Sequence, residues 1–179
     1  MAIKSTIHKL ELQLSDIGRH LYGEFPLTLA QHPSETLDRM MVRALAFAWD
    51  AHEDLQFGKG VSNAEEPDLW KKNLVGEIEQ WIDIGQPDAD RIRRACNKAD
   101  QATVYDFHAS HPIWWKSIQN QVTRFSNLQV WALPTESIQA LGLWGQRTMK
   151  IQCTIDHDDM WLTQDGQELH IRRVLLSQA

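Results

Sequence analysis

The middle of the chain has a strand–helix–strand order, and this order limits the available folds more than any other feature. Gly76–Ile84 (GEIEQWIDI) predicts a strand, and Gly85–Pro87 breaks it. Asp88–Gln101 predicts a helix with an aspartate cap, and Ala102–Phe107 (ATVYDF) predicts a second strand. The apolar stripe of this helix comprises Ile92, Ala95, Cys96 and Ala99. Such a unit indicates two parallel strands joined by a right-handed crossover.

Both ends of the chain are rich in strand patterns. Ile3–Leu14 and Leu21–Leu29 are separated by a glycine-containing break and predict a β-hairpin. Ser34 is predicted to cap a helix that runs to about Leu55. Further elements are predicted as helices at His111–Phe125 and Pro134–Gln146 and as strands at Pro67–Lys72, Leu128–Leu133, Thr148–Ile155, Met160–Leu162 and Leu169–Val174. We therefore expect an α/β fold with a mixed sheet and additional antiparallel β structure at the N- and C-terminal ends.

Composition sets limits on the class of protein. The length of 179 residues predicts a single domain over residues 1–179 with a sizeable core. The net charge of −6 argues against broad electrostatic binding to nucleic acid or anionic membrane, although it allows a local basic groove. Cys96 and Cys153 lie outside any metal-binding spacing, so buried free thiols are expected. Because no apolar stretch resembles a signal core or a membrane span, we expect a cytoplasmic protein without membrane contact.

Asp68 and Asp83 are the first residues that suggest chemistry. They are fifteen positions apart, so they can lie side by side on paired strands. Converging carboxylates bind Mg²⁺, which prefers oxygen ligands and keeps waters and substrate phosphate in its coordination shell. A metal held there can activate water for phosphodiester hydrolysis, and a nearby Lys or Arg can neutralise charge on the phosphate. On spacing alone, solvated acids at strand edges are the more ordinary interpretation.

Several segments of the chain carry a family resemblance. They are Leu27–Phe47 (LTLAQHPSETLDRMMVRALAF), Glu66–Trp70 (EPDLW), Glu77–Ala95 (EIEQWIDIGQPDADRIRRA) and Arg147–Gln152 (RTMKIQ). Together with the Trp114–Trp115 pair, they resemble the bacterial YaeQ family over essentially the whole chain. That family is similar in fold to the PD-(D/E)XK nucleases, so the resemblance implies a core of that type with extra β structure.

The resemblance also implies roles for individual residues. The Pro-Asp pair that ends at Asp68 matches the PD element, and Asp83 matches the acid of the second element. The lysine of that second element orients the attacking water and neutralises charge, but Gly85 stands at its position. Arg94 and Lys98, on the helix that follows, are the candidates to replace this lysine.

Glu35 matches a position where related nucleases often place an extra metal-binding acid. It is predicted in the first turn of the first long helix and off the apolar stripe. An equally open interpretation is that Glu35 stabilises the helix N-terminus electrostatically, by about 0.3–1 kcal/mol. Glu79 shares a strand face with Asp83 and is a reserve metal ligand, although a surface role is favoured.

The remaining polar groups favour structural roles. Arg91 and Arg93 are expected on a solvated helix face. Asp156–Asp159 is expected to be a polar hairpin turn, although its side chains are able to bind metal. The histidines considered, His32, His108 and His111, form no helical HxxxH pair. No serine-hydrolase, P-loop or dinucleotide-binding motif is present.

These observations lead to one functional hypothesis and one alternative. The hypothesis is a nuclease or related phosphodiesterase that depends on Mg²⁺ or Mn²⁺. Its metal ligands would be Asp68 and Asp83 with Glu35, and Arg94 or Lys98 would contact phosphate. The alternative is a non-catalytic protein of the same fold that binds protein or nucleic acid. The missing lysine and the acidic net charge favour the alternative, and the surviving pair of acids favours the hypothesis.

Overall fold

The computed structural model describes residues 4–59, 61 and 63–177. The chain forms two compact units, and each unit combines two segments. Unit 1 comprises residues 1–50 and 134–173, and unit 2 comprises residues 51–133 and 174–179. Each unit contains a mixed sheet, which confirms the expected α/β fold. The single domain over residues 1–179 stays a prediction.

Eleven strands and four helices make up the part of the chain that the structure describes. In chain order they are β1 (Thr6–Asp16), β2 (Leu21–Gln31), α1 (Leu37–Asp50), β3 (Leu55–Phe57), β4 (Leu69–Lys72), β5 (Ile78–Ile84), α2 (Ala89–Lys98), β6 (Ala99–Asp106), α3 (His111–Val122), β7 (Leu128–Ala132), α4 (Thr135–Gly142), β8 (Thr148–Asp156), β9 (Asp159–Gln164), β10 (Gln167–Arg172) and β11 (Val174–Leu175).

Unit 1 is built on a five-stranded sheet in the order β10-β9-β8-β1-β2. Leu10, Leu12 and Leu14 are buried at alternate positions of β1, because successive side chains of a strand point to opposite faces. β2 pairs with β1 as an antiparallel hairpin, as predicted. β1 also pairs in parallel with β8, so the terminal β segments belong to one sheet. Sequence patterns did not predict that pairing.

Unit 2 is built on a six-stranded sheet in the order β11-β7-β6-β5-β4-β3. β5, β6 and β7 are parallel neighbours, with α2 and α3 between them in the chain. The predicted strand–helix–strand unit is therefore present. β3 and β4 extend the sheet in antiparallel fashion beyond β5. The parallel strands end at the same edge, which places the residues that follow them close together.

One face of the parallel strands packs against α2 and α3. Trp81 lies opposite Ala102, and Asp83 lies opposite Val104 in the β5–β6 register. The core on this face comprises Trp81, Ile92, Ala95, Cys96, Ala99, Ala102, Val104, Ile118, Val122, Leu128 and Val130. Because side chains alternate along a strand, Asp83 points to the same face as Trp81, and Asp106 points to the same face as Val104.

The first helix is shorter than predicted. The Oγ1 atom of Thr36 accepts a hydrogen bond from the Arg39 N–H at 3.2 Å, so Thr36 caps α1. Ser34 lies in the preceding turn, where its N–H donates to His32 Nδ1, and its prediction as the cap was wrong. Leu55, the predicted end of the helix, belongs to β3 instead. Ile3, the predicted start of the first strand, lies outside the described residues.

Both cysteines are free and buried, as predicted. Burial raises the pKa of the Cys96 thiol to about 11, because a thiolate is poorly solvated there. Burial also raises the pKa of Cys153. Both side chains therefore act as core residues. Within the described ranges, we find no helix with the length and apolar character needed to cross a bilayer.

Candidate functional site

The two predicted acids lie beside each other in unit 2. Asp68 precedes β4 in a bend, and its N–H donates to the Ile82 carbonyl at 3.0 Å. The Oδ2 atom of Asp68 accepts a hydrogen bond from the Ile84 N–H at 2.8 Å. Asp68 thus contacts the β5 backbone on both sides of Asp83. Each aspartate is only 3% exposed, so the expected proximity is present and neither acid is a solvated strand-edge residue.

Arg91 binds Asp83 with both arms of its guanidinium group. Nε donates to Asp83 Oδ2 at 2.8 Å, and Nη2 donates to Oδ1 at 3.0 Å. The same guanidinium donates to the carbonyl oxygens of Ala64 and Glu66 at 2.6 and 3.1 Å. The expectation that Arg91 is on a solvated helix face was therefore wrong. Arg93 does lie at the surface, where it pairs with Asp90.

The local fold explains why Arg91 reaches Asp83. Gly85 follows β5 with φ at +107°, a left-handed conformation that side chains disfavour and glycine adopts easily. Asp88 then caps α2, with its side chain accepting the Arg91 N–H at 2.8 Å. Arg91 consequently lies in the first helical turn, next to the end of β5. Gly85 stands at the position of the motif lysine, and it also allows the turn that brings Arg91 to Asp83.

The electrostatic environment of Arg91 includes both acids. Its hydrogen bond to Asp83 raises the pKa of Arg91 above the ordinary value, and desolvation opposes this shift. The charges of Asp83, Asp68 and Asp88 raise the pKa further. Arg91 therefore stays protonated and supplies the positive charge that two buried carboxylates require.

Arg94 and Lys98 extend the positive charge along α2. They follow Arg91 by three and seven positions, a spacing that places all three on one helix face. A pocket beside them is lined by Ala64, Glu65, Trp81, Arg91, Arg94 and Lys98. Lys98 Nζ lies 4.0 Å from Glu65 Oε2, and both side chains are largely exposed. Among these three residues of the described chain, Arg91 is the one that contacts Asp83.

Trp81 forms the apolar wall of this pocket. Its side chain is 4% exposed, and its indole Nε1 is buried without a hydrogen-bond partner in the described part of the chain. The Arg91 guanidinium and the Lys98 ammonium lie 5.8 and 5.9 Å from the ring centroid, within cation–π range. Cationic groups and an aromatic ring therefore line this pocket together.

Glu35 is in unit 1, where two arginines hold its carboxylate. Arg43 donates to Glu35 Oε1 at 2.7 Å and to Oε2 at 3.0 Å. Arg39 donates to Oε2 at 2.8 Å. Glu35 is 5% exposed and precedes α1, so the prediction that it lies in the first helical turn was wrong. Its metal role stays a prediction, and the ion pairs assign it a structural role.

Two other polar sites behave as expected. Glu79 lies 3.5 Å from Lys71 Nζ with 40% of its side chain exposed, which fits the favoured surface role. The Asp156–Asp159 segment forms the turn of the β8–β9 hairpin, with Asp156 opposite Asp159. Across the described residues, no group of three or more His, Cys, Asp or Glu side chains is arranged to hold a metal ion.

Sequence reasoning missed a second polar cluster at the ends of β5 and β6. Asp106 is fully buried, and its Oδ1 atom lies 2.6 Å from His108 Nδ1. Its Oδ2 atom accepts a hydrogen bond from Gln86 Nε2 at 2.8 Å. A search for helical HxxxH pairs does not detect this arrangement, because the two residues are only two positions apart. The available signal was an Asp-x-His pattern at the carboxyl end of a predicted parallel strand, where ligands of α/β sheets bind.

Comparison with known proteins identifies the family. A family model described as "YaeQ protein" matches residues 1–173. The chain belongs to the YaeQ family. Its relatives include the "Uncharacterized protein YaeQ" of Escherichia coli (strain K12), 38% identical over 172 residues, with 96% of this chain and 95% of that protein covered. The Salmonella typhi protein of the same name is 38% identical over 173 residues and covers 96% of both chains.

Solved YaeQ structures have the same fold. The crystal structure of YaeQ protein from Xanthomonas axonopodis pv. citri has a TM-score of 0.94 and 40% identity, with 98% of this chain and 99% of that chain covered. The crystal structure from Pseudomonas syringae has a TM-score of 0.94 and 31% identity, with coverages of 98% and 97%. The YaeQ identification and the α/β fold are thereby confirmed, whereas the PD-(D/E)XK relationship stays a prediction.

Proposed function

We propose that this YaeQ family member is a metal-dependent phosphodiesterase that acts on nucleic acid. The observation that carries the proposal is the pair of buried carboxylates at β5, Asp68 and Asp83, beside an arginine. Asp68 bonds to the backbone on both sides of Asp83, and Arg91 binds both oxygens of Asp83. Buried carboxylates are costly unless they are matched by positive charge. A site that concentrates them next to a cationic helix face is suited to a metal–phosphate complex.

The donor set fits a hard divalent cation. Asp68 and Asp83 supply carboxylate oxygens, and Mg²⁺ is usually bound by one or two carboxylates together with water and substrate phosphate. Mn²⁺ accepts the same ligands. We leave Glu35 out of the proposed ligand set, because two arginines, Arg39 and Arg43, hold its carboxylate, whereas a single arginine that a cation could replace holds Asp83. When bound, the metal would polarise the phosphate and lower the pKa of a coordinated water.

Arg91 is proposed to take over the charge-neutralising role of the missing lysine. Its guanidinium forms a planar fork that matches the oxygens of a carboxylate and also those of a phosphate. Without a metal, Arg91 provides the positive charge that balances Asp83. A divalent cation bound at Asp83 would provide that charge instead. Arg91 would then be available to hold the scissile phosphate and to stabilise the charge that develops on it. This assignment replaces Arg94 and Lys98 in that role.

Arg94 and Lys98 are proposed to bind the flanking phosphates of the substrate. They continue the row of charge that begins at Arg91 and line the same pocket as Trp81. Phosphate contacts of this kind position a nucleic acid without reading its sequence. They also provide a local basic surface on a chain with a net charge of −6. The proposal is therefore for local, metal-assisted contact with nucleic acid.

A cleavage assay tests this proposal. Labelled single-stranded DNA, duplex DNA and RNA are incubated with wild type, Asp68→Asn and Asp83→Asn in Mg²⁺ or Mn²⁺, and in chelator. We expect cleavage by wild type with metal, and rates near the protein-free background in chelator and in both variants. Asp90→Asn is the control, because Asp90 pairs with Arg93 at the surface of the same helix. Wild-type cleavage that persists in chelator would rule out the metal role.

One observation favours the alternative of a non-catalytic binding protein. Both oxygens of Asp83 are bound by Arg91, so the ion pair is complete without any metal. In that case the carboxylates position Arg91 on the cationic face, and nucleic acid binds without being cleaved. Fluorescence anisotropy with the same labelled substrates distinguishes the two functions. Binding in chelator, with no cleavage in any metal, would favour the binding protein.

A further inference from the structure

We propose that His108 is the general base of this phosphodiesterase site, with Asp106 as the residue that positions it. The inference rests on the proposed function and adds the group that accepts the proton. His108 lies in the loop between β6 and α3, and its side chain is 49% exposed. Asp106 beneath it is fully buried. A buried carboxylate that orients an exposed imidazole is a recurring arrangement for proton transfer.

The imidazole is held in one orientation by two contacts. Its Nδ1 atom lies 2.6 Å from Asp106 Oδ1, and its ring stacks on Phe107 with centroids 4.5 Å apart. The backbone N–H of His108 also donates to Asp106 Oδ1 at 3.0 Å. The loop between Asp106 and His108 is thus fixed at both backbone and side chain. Such restraint reduces the entropy lost when a catalytic group is aligned with its substrate.

The hydrogen bonds also select the tautomer that a base requires. Asp106 accepts hydrogen bonds from Gln86 Nε2 and from the His108 N–H, so it faces Nδ1 as an acceptor. In a neutral imidazole one ring nitrogen donates and the other accepts. Since Nδ1 donates to Asp106, the lone pair lies on Nε2. No partner of Nε2 is found in the described part of the chain, so it is free to accept a proton.

The fold places this dyad at the same edge of the sheet as the proposed metal ligands. Asp83 lies opposite Val104 in the parallel β5–β6 register, and Asp106 is two residues beyond Val104 on the same sheet face. Gln86 follows Asp83 by three residues and ties this end of β5 to Asp106. The Asp106–His108 dyad and Asp83 therefore lie at the C-terminal ends of the parallel strands, where α/β sheets bind their ligands.

The proposed step balances as a hydrolysis. His108 Nε2 takes one proton from water as the water oxygen forms a bond to phosphorus. The bond between phosphorus and the leaving oxygen breaks, and its electron pair stays on that oxygen. The leaving oxygen then takes a proton from bulk water, and the imidazolium returns its proton to bulk water. Water is the only co-reactant, and no electron is transferred.

The test compares His108→Gln with a matched histidine control. In the cleavage assay with Mn²⁺, we expect His108→Gln to lower kcat by about 10²-fold with little change in KM, because a general base acts only in the transition state. His52→Gln is the control, since His52 is similarly exposed and lies 3.8 Å from Asp54. Its kcat should equal that of wild type. A kcat for His108→Gln within twofold of wild type would overturn the proposal.

Two further measurements separate a base from a structural residue. Added imidazole should restore much of the kcat of His108→Ala, and it should not raise the rate of Asp83→Asn. Nitrogen-15 NMR, at a pH at which the His108 imidazole is uncharged, should show hydrogen on Nδ1 and a lone pair on Nε2 of that ring. The opposite tautomer would overturn this inference alone. A wild type that cleaves no phosphodiester would overturn the proposed function and this inference together.

Discussion

Replacing Arg91 with methionine should lower phosphodiester cleavage by about 10³-fold, the effect typical of an arginine that stabilises charge on a transferring phosphoryl group. Arg91 is the residue proposed to contact the scissile phosphate. Methionine lacks the positive charge of arginine but keeps an apolar side chain that can pack against Trp81. The chain also loses four hydrogen bonds, two to Asp83 and two to the backbone of residues 64–66. Metal-dependent cleavage of labelled nucleic acid checks this result.

The same substitution should also destabilise the metal-free protein. Asp83 is 3% exposed, and without Arg91 it is a buried carboxylate that lacks its counter-charge. Removing one partner of a buried pair costs about 3 kcal/mol or more. Urea denaturation measures this cost, and added Mn²⁺ should recover part of it, because a cation at Asp83 restores the missing charge.

Arg93→Met is the matched control for Arg91→Met. Arg93 is two positions away on α2, and its ion pair with Asp90 is exposed. Exposed pairs contribute about 0–1 kcal/mol, so this variant should unfold and cleave like wild type. If Arg91→Met cleaved at the wild-type rate, Arg91 would not contact the phosphate. If both variants had the same stability as wild type, the Asp83–Arg91 pair would have no structural role.

Glu35→Gln should destabilise the protein by about 3–5 kcal/mol. The carboxylate of Glu35 balances Arg43, whose side chain is 7% exposed, and Arg39, whose side chain is 19% exposed. An uncharged amide leaves a buried guanidinium without its counter-charge, and its NH₂ group faces other donors. Urea denaturation with circular dichroism gives the free energy of unfolding.

The stability of Glu35→Gln also separates two roles for this residue. If Glu35 is an ion-pair residue, the loss is the same with and without Mn²⁺. If Glu35 is a metal ligand, wild type gains more stability from Mn²⁺ than the variant does. Asp90→Asn serves as the surface control and should change the free energy by less than about 1 kcal/mol. A Glu35→Gln variant as stable as wild type would contradict the structural role.

Local patterns predicted most elements of the fold. The parallel β5–α2–β6 unit, the β1–β2 hairpin and the Asp88 cap all follow from periodicity and capping within short windows. The parallel pairing of β1 with β8 joins residues about 140 positions apart, and no local pattern encodes it. Leu55 was misassigned because a three-residue strand is too short for its periodicity to be distinguished from the end of a helix.

The candidate site was also predictable only in part, because some of its contacts depend on local sequence and others on the tertiary fold. The spacing of Asp68 and Asp83 allowed them to lie side by side, because strand pairing can bring them together, but only the family resemblance selected them as candidate ligands. The choice among Arg91, Arg94 and Lys98 depended on the direction in which α2 leaves Gly85. That direction follows from the turn at Gly85, where φ is +107°, and the carbonyls of Ala64 and Glu66 then hold the Arg91 guanidinium. Neither the composition nor the residue spacing indicates the direction of α2 or the position of these carbonyl groups.

The burial of charged residues was the least predictable property. Glu35 was predicted in the first turn of the helix and off its apolar stripe, so the pattern gave no indication of burial. It is buried because Arg43 and Arg39 in the first turns of that helix fold back onto it. Asp106 lies within the predicted strand Ala102–Phe107, and the pattern of that strand does not distinguish it from an ordinary strand-end residue. Its function as a partner of His108 depends on a hydrogen bond within one loop.

Binding of Mn²⁺ to the purified chain is the measurement that tests the central claim most directly. Isothermal titration calorimetry on wild type should show a single ion bound, and Asp83→Asn should bind it at least about tenfold more weakly, a loss of about 1.4 kcal/mol. Arg91→Met should bind it more tightly than wild type, because the cation no longer competes with a guanidinium for Asp83. Equal affinity for Mn²⁺ in wild type, Asp83→Asn and Arg91→Met would contradict a metal site at these carboxylates.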